Sequence, residues 1–210
     1  GVVDQHGQQR DSQDYTTYYE TLPNTQLDLA LRIESDRMTN ALFKAEEVEN
    51  ERTVIIAERE ESENEPFYVL YENLSATAFQ VHPYHHLTVG WKTDLEHMTR
   101  DELYQHYRHY YVPNNATLVI VGDLEPAVTL QRIESYFGAI QASSDIDQWI
   151  PMEPVQKGER RVITRLPGST PIINVGYHVP PVSHPDYIPL LIMNGVLSGG
   201  SAPFSGQRML

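Results

Sequence analysis

Two glutamates seven residues apart, in Glu51-Arg52-Thr53-Val54-Ile55-Ile56-Ala57-Glu58, are the side chains of this sequence best placed to do chemistry. On a helix that spacing is two turns, so both carboxylates project from one face. At 1.5 Å per residue their backbones stand ~10 Å apart, too far for both to grip one ion equally. One is therefore expected to be a metal ligand, and the other an acidic neighbour that supports the site or faces the substrate. Val54 and Ile55 fall between them on roughly the same face. A carboxylate there must be paired, metal-bound or open to solvent. From spacing alone, a solvated helix face with scattered glutamates is the simpler reading.

Other groups invite a metal and fall short of one. His82, His85 and His86 cluster in one loop, and His106 and His109 share a helix face, but neither group has an acidic or third ligand at a familiar spacing. A loop built around His82-Pro83-Tyr84 is the better account of the first group. The tyrosines at 104, 107, 110 and 111 are expected to pack a helix rather than stack on bases, because few basic residues surround them. Gly199-Gly200 is not a phosphate loop, since no Lys-Ser or Lys-Thr follows it.

The elements that must position these groups follow from pattern and punctuation. Residues 14–20 are rich in Thr and Tyr and read as a strand. Helices are expected over about 25–41, 44–64 and 66–79, the second ending before Pro66 and carrying Glu46, Glu47 and Glu49 near its start. Thr99-Arg100-Asp101-Glu102 has the form of a capping box opening a helix to about Tyr110. Residues 116–123 read as a buried strand, 126–137 as a helix and 139–157, with Pro151 and Pro154, as a linker. Two further strands are expected at 160–165 and 171–178, and a helix at about 186–197. That order is α+β, with a second domain that begins after the linker and stops unfinished.

Composition narrows the function further. Over 210 residues the chain is 40% hydrophobic and 10% aromatic, which suits a packed core rather than disorder. Acidic residues outnumber Lys and Arg 29 to 15, for a formal charge of −14, which argues against nucleic acid or an anionic membrane surface as partner. There is no cysteine, so disulfides, thiolate metal sites and cysteine nucleophiles are excluded. No apolar run approaches the ~18 residues of a membrane span, and no secretory signal is visible. The compartment is left unassigned. Both ends read as cut: there is no initiator Met, and the chain stops soon after a glycine-rich turn.

A set of short strings, in this order, changes the weight given to Glu51 and Glu58. They are Asp14-Tyr15-Thr16-Thr17-Tyr18-Tyr19, the run Leu29 to Met38, Glu51-Arg52-x-Val54-x-x-x-Glu58, Phe79-x-x-His82-Pro83-Tyr84, Gly90-Trp91 and Asp94-Leu95. Tyr110-Tyr111-x-Pro113-x-Asn115-Ala116, Val121-Gly122-Asp123 and Tyr136-Phe137-Gly138 continue the series. In these strings the chain resembles the pitrilysin/insulinase family of zinc metallopeptidases, nearest its mitochondrial-processing-peptidase-like subgroup, over essentially its whole length.

The resemblance implies a metallopeptidase-type domain, with an antiparallel-rich sheet packed by helices, followed by the truncated start of a second, homologous α+β domain. The expected division is 1–138 for most of the first domain, 139–157 for the linker and 158–210 for the opening of the second. It implies Zn²⁺ as cofactor, bound by an inverted H-x-x-E-H helix and a later glutamate. Glu58 corresponds to that third ligand, and Glu51 to the accompanying acidic residue, assigned a catalytic part. No H-x-x-E-H occurs in this sequence. By family spacing it would lie about twenty residues upstream of Gly1. One carboxylate cannot hold a catalytic zinc, which takes three protein ligands, so the 210-residue chain alone is expected to be inactive.

The implied function is hydrolysis of peptide bonds in unstructured polypeptides by the complete protein. The alternative is a non-catalytic partner or scaffold subunit of the same fold, and a remote third is an unrelated His-rich metal-binding module. The expected partner is a polypeptide substrate, with a homo- or hetero-oligomer of same-fold subunits compatible; nucleic acid and membrane are not expected. Two departures weaken detail. Gly7-Gln8-Gln9-Arg10-Asp11-Ser12 stands where the family has a small-residue strand that pairs with extended substrate. Ser198-Gly199-Gly200-Ser201 fits a family loop, but the Arg and Tyr residues that follow it in the family cannot be matched, and Arg208 is not assigned to them.

Overall fold

The structure, a computed structural model, describes residues 8–143, 146, 149–168 and 170–197. The sequence motifs at Ser198–Ser201 and at Arg208 lie outside them. A β-hairpin opens the described chain: β1 (Gln8–Asp11) pairs antiparallel with β2 (Thr16–Tyr19), with Gln8 opposite Tyr19 and Asp11 opposite Thr16. Ser12 closes the turn, its N–H donating to the Tyr15 carbonyl at 2.9 Å and its hydroxyl accepting from the Tyr15 N–H at 3.1 Å. A serine that bonds neighbouring backbone in this way stabilises a turn against continued strand.

Helices α1 (Leu27–Asn40), α2 (Ala45–Ser62) and α3 (Pro66–Ala78) follow, within a few residues of the expected bounds. Pro66 occupies the first turn of α3, where its missing N–H costs nothing. A short α4 (Lys92–His97) then leads to α5 (Arg100–Tyr110). The α5 start is the capping box read from sequence: the Thr99 hydroxyl accepts from the Glu102 N–H at 3.2 Å, and the Glu102 carboxylate accepts from the Thr99 N–H at 2.7 Å. Helices α6 (Pro126–Phe137) and α7 (Tyr187–Leu197) also lie where expected.

The buried centre lies among the helices. Leu31 of α1 is 2% exposed, and Tyr84, Leu87, Leu95 and Tyr107 are the other buried apolar residues among those described. Tyr107 also acts as a fastener: its hydroxyl donates to the Arg37 carbonyl at 2.8 Å and accepts from the Ala41 N–H at 3.2 Å, tying α5 to the end of α1. The α1–α2 connection passes through Phe43, which has a left-handed φ of 47°, unfavourable for a bulky side chain. Its ring packs 5.1 Å from that of Tyr107, and Arg100 donates to its carbonyl at 2.7 Å, which offsets the strain.

Three expected strands are corrected. Residues 116–123, 160–165 and 171–178 form no strand and join no ladder among the described residues, where the sheet has two strands. The first was expected to be buried, yet Val121 is 90% exposed. Alternating Val, Ile and Thr favour an extended backbone, but a strand also needs a neighbour to receive its hydrogen bonds, and propensity does not supply one. The antiparallel-rich sheet is correspondingly reduced to the hairpin in a helix-rich α+β chain.

Candidate functional site

Helix α2 is the element on which the expected site residues stand, and its two edges differ in what they touch. Arg52 and Arg59, seven apart, define the inner edge. Arg52 donates to the Leu95 carbonyl and, at 2.5 Å, to the Met98 carbonyl, and it holds Glu49 through two bonds of 3.1 Å. Arg59 is 4% exposed and lies among polar partners. It donates to the Gly90 carbonyl at 2.7 Å, to the Tyr68 hydroxyl at 3.2 Å and to Glu72 Oε1 at 2.7 Å. Glu63 lies 3.2 Å from Nε as an ion pair not aligned as a hydrogen bond, and the Trp91 ring centre is 6.0 Å away. Burial works against the Arg59 charge, but Glu72 outweighs it and holds the guanidinium above its ordinary pKa. Gly90, at φ 75°, makes the turn that presents its carbonyl to Arg59. Both arginines thus fix the register of α2 against α3 and the 90–98 segment.

Glu51 and Glu58 each precede one of those arginines, so they lie about 100° around the helix from the inner edge. Both are exposed, with Val54 between them 49% exposed. Neither carboxylate makes a hydrogen bond or ion pair with another described residue; at Glu58 the bond from Ser62 goes to the backbone carbonyl, at 2.9 Å. Glu60, two residues on, is instead engaged by Lys92 at 2.6 Å. Glu58 is therefore an exposed carboxylate on α2 with no partner among the described residues. Alone it does not make a zinc site: among the described residues no group of three or more His, Asp or Glu could hold a metal.

The histidine groups are explained by packing. His82 caps the turn Pro83–His85, its Nδ1 accepting from the Tyr84 N–H at 3.3 Å, and His85 Nδ1 bonds the His82 carbonyl at 2.7 Å. Burial lowers the pKa of His82 and of His106, favouring neutral rings. His106 and His109 lie against the Tyr110 ring at 4.6 and 4.5 Å.

Two groupings escaped the sequence reading. Glu20, beyond the end of β2, and Glu34 of α1 share Arg37, at 3.8 and 3.3 Å. Burial first, against the pull of Arg37, and then a bond to Glu20 push the Glu34 carboxyl above its ordinary pKa. The second is Glu153, whose carboxylate sits on the backbone after α3. Neither has a sequence signal, since partners 14 and 71 or more residues apart meet only in the folded chain. The Arg52/Arg59 pair did have one: the same seven-residue spacing as the glutamates, one position later.

Comparison with known proteins sets this geometry in a class and then a family. A crystal structure of a protease from Helicobacter pylori superposes with a TM-score of 0.67 at 28% identity, covering 73% of this chain and 38% of that one, which places the chain among α+β peptidase folds. Residues 5–90 match the model of the insulinase family (peptidase family M16), and residues 97–207 match the M16 inactive domain. The chain belongs to this family, also called pitrilysin/insulinase. The zinc protease PqqE of Helicobacter pylori is 27% identical over 201 residues, covering 94% of this chain and 45% of that protein. A probable mitochondrial-processing peptidase subunit beta of Schizosaccharomyces pombe is 27% identical over 206 residues, with the same 94% and 45% coverage. The chain thus spans about half the length of the curated relatives it matches. Relatives in the family are named zinc proteases. Among the described residues, no helix is long and apolar enough to cross a membrane.

Proposed function

We propose that the complete protein is a zinc metalloendopeptidase that hydrolyses peptide bonds in unstructured polypeptides, with Glu58 as the third zinc ligand. The observation that carries this is the Glu58 carboxylate, without a partner among the described residues, on the outer edge of a helix whose inner edge Arg52 and Arg59 lock. A ligand needs that combination of free oxygen and fixed backbone. The other two ligands and the general base come from an H-x-x-E-H helix carried by the complete protein. When bound, the zinc supplies a Lewis acid that polarises the carbonyl and lowers the pKa of water.

The other residues of the chain have supporting parts in this proposal. Glu51 stands a helical repeat away from Glu58 as an acidic residue that orients groups at the site. β1 offers the edge not used by β2 to an extended polypeptide, which fits unstructured substrates better than folded ones. Residues 1–138 form most of the peptidase domain, 139–157 link it to the next, and 158–210 open a second domain of the same family that closes over the substrate. The 210 residues alone bind no catalytic zinc and are inert.

The test is turnover of an unfolded polypeptide by the complete protein. Glu58→Gln is expected to abolish cleavage, whereas Glu51→Gln lowers turnover more than metal content. Undiminished cleavage by Glu58→Gln overturns the ligand assignment. A complete wild-type protein that neither holds zinc nor cleaves leaves the same-fold, non-catalytic partner subunit as the function.

A further inference from the structure

The turn that follows α3 carries a feature that the peptidase reading does not use. Its successive N–H groups, those of Gln80, Val81 and His82, point at one place, and the carboxylate of Glu153 occupies it. The Gln80 N–H lies 2.9 Å from both oxygens, and those of Val81 and His82 lie 3.0 and 3.2 Å from Oε2. Consecutive backbone donors arranged in this way form an anion-binding concavity. The carboxylate comes from a segment that otherwise faces water: Glu153 has 11% of its side chain exposed, while Met152 and Val155 are 90% and 87% exposed. The acid, not an apolar side chain, is what this stretch inserts.

A second contact of opposite sign lies beside it. Arg160 donates through Nη1 to the carbonyls of Thr77 and Ala78, at 3.0 and 2.7 Å, and stands 3.7 Å from Glu153. Those carbonyls are at the negative end of α3, where a cation is favoured. Further along, Asn73 of α3 donates to the Thr164 hydroxyl at 3.2 Å, and His178 stacks on Phe79 at 4.8 Å.

We infer that the Gln80–His82 turn is a carboxylate-binding nest whose resident ligand is Glu153, and that this nest with Arg160 latches the 149–168 segment onto the end of α3. The latch joins the stretch matched by the insulinase model to the stretch matched by the inactive-domain model. It makes the connection a fixed strut rather than a free tether. Burial would raise the Glu153 carboxyl, but the three N–H groups and Arg160 prevail and hold it below the ordinary carboxylate value of 4.5. The charged or titratable groups near the nest among the described residues are Arg160, His82 and His85, with His178 on the neighbouring Phe79 ring and Asp14 on the Tyr84 hydroxyl.

Hydrogen exchange of the complete protein, read at single-amide resolution, tests the latch. Glu153→Gln keeps the shape and removes the charge, and is expected to speed exchange at Val81 and His82 by about tenfold or more while α3 keeps its protection. Unchanged exchange at those amides overturns the inference. In the unmutated protein, where no variant has to fold, acidification from pH 4.5 downward is expected to release those amides before α3 opens. Their release only together with α3 overturns it as well.

Discussion

Arg59 and Glu153 each hold an element in place with one charge, but the regions they serve are built differently. Helices α2 and α3 satisfy their own backbone groups, so the Arg59 network adds to packing that already exists. Residues 149–168 have no such internal ladder among the described residues, and Glu153 and Arg160 bond them to the end of α3 and the turn after it. The difference shows that a buried charge is part of the core where the backbone is self-sufficient, and an attachment point where it is not.

The comparison predicts a descending series of effects. Arg59→Ala removes one partner of a buried pair and leaves Glu72, Tyr68 and the Gly90 carbonyl without their donor. It should cost about 3 kcal/mol or more, read as a lower denaturant midpoint. Glu153→Gln should cost less, about 1–2 kcal/mol, with the loss concentrated in the latch. If it matched Arg59→Ala, the two regions would be one cooperative unit. Thr99→Ala, which deletes the capping box of α5, should cost about 1 kcal/mol.

The Glu20/Glu34 pair sharpens the account in the other direction. The folded Glu34 pKa lies above the ordinary 4.5, so the native state binds a proton that the unfolded chain releases. Stability therefore falls as pH rises through the interval above 4.5, and Glu34→Gln should flatten that fall and raise the melting temperature near neutral pH. For Glu153 the sign is reversed: its stabilisation is present above 4.5 and is lost as pH falls through a lower folded value. Thermal melts across pH 3–8 separate the two.

How much of this could be read from the chain follows the same division. The helices and the Thr99–Glu102 box were legible because their signals are local: periodicity, Pro66 and a four-residue cap. Residues 116–123, 160–165 and 171–178 were misread as strands, because a ladder depends on a partner that local sequence does not specify. Glu58 stood out through its place in a family string rather than through spacing, which alone describes an ordinary solvated helix edge. Glu153 was hidden because its ligand is backbone, and three N–H groups carry no residue-type signature.

The smallest expected effect on folding belongs to the proposed zinc ligand. The exposed Glu58 side chain makes no hydrogen bond or ion pair among the described residues, so Glu58→Gln should change the stability of the 210-residue chain by no more than about 0.5 kcal/mol. The most direct measurement is the zinc content of the complete protein, wild type beside Glu58→Gln, after dialysis against a weak chelator. The account predicts stoichiometric zinc in the first and near-complete loss in the second, at equal helical content. Equal zinc in both would contradict it.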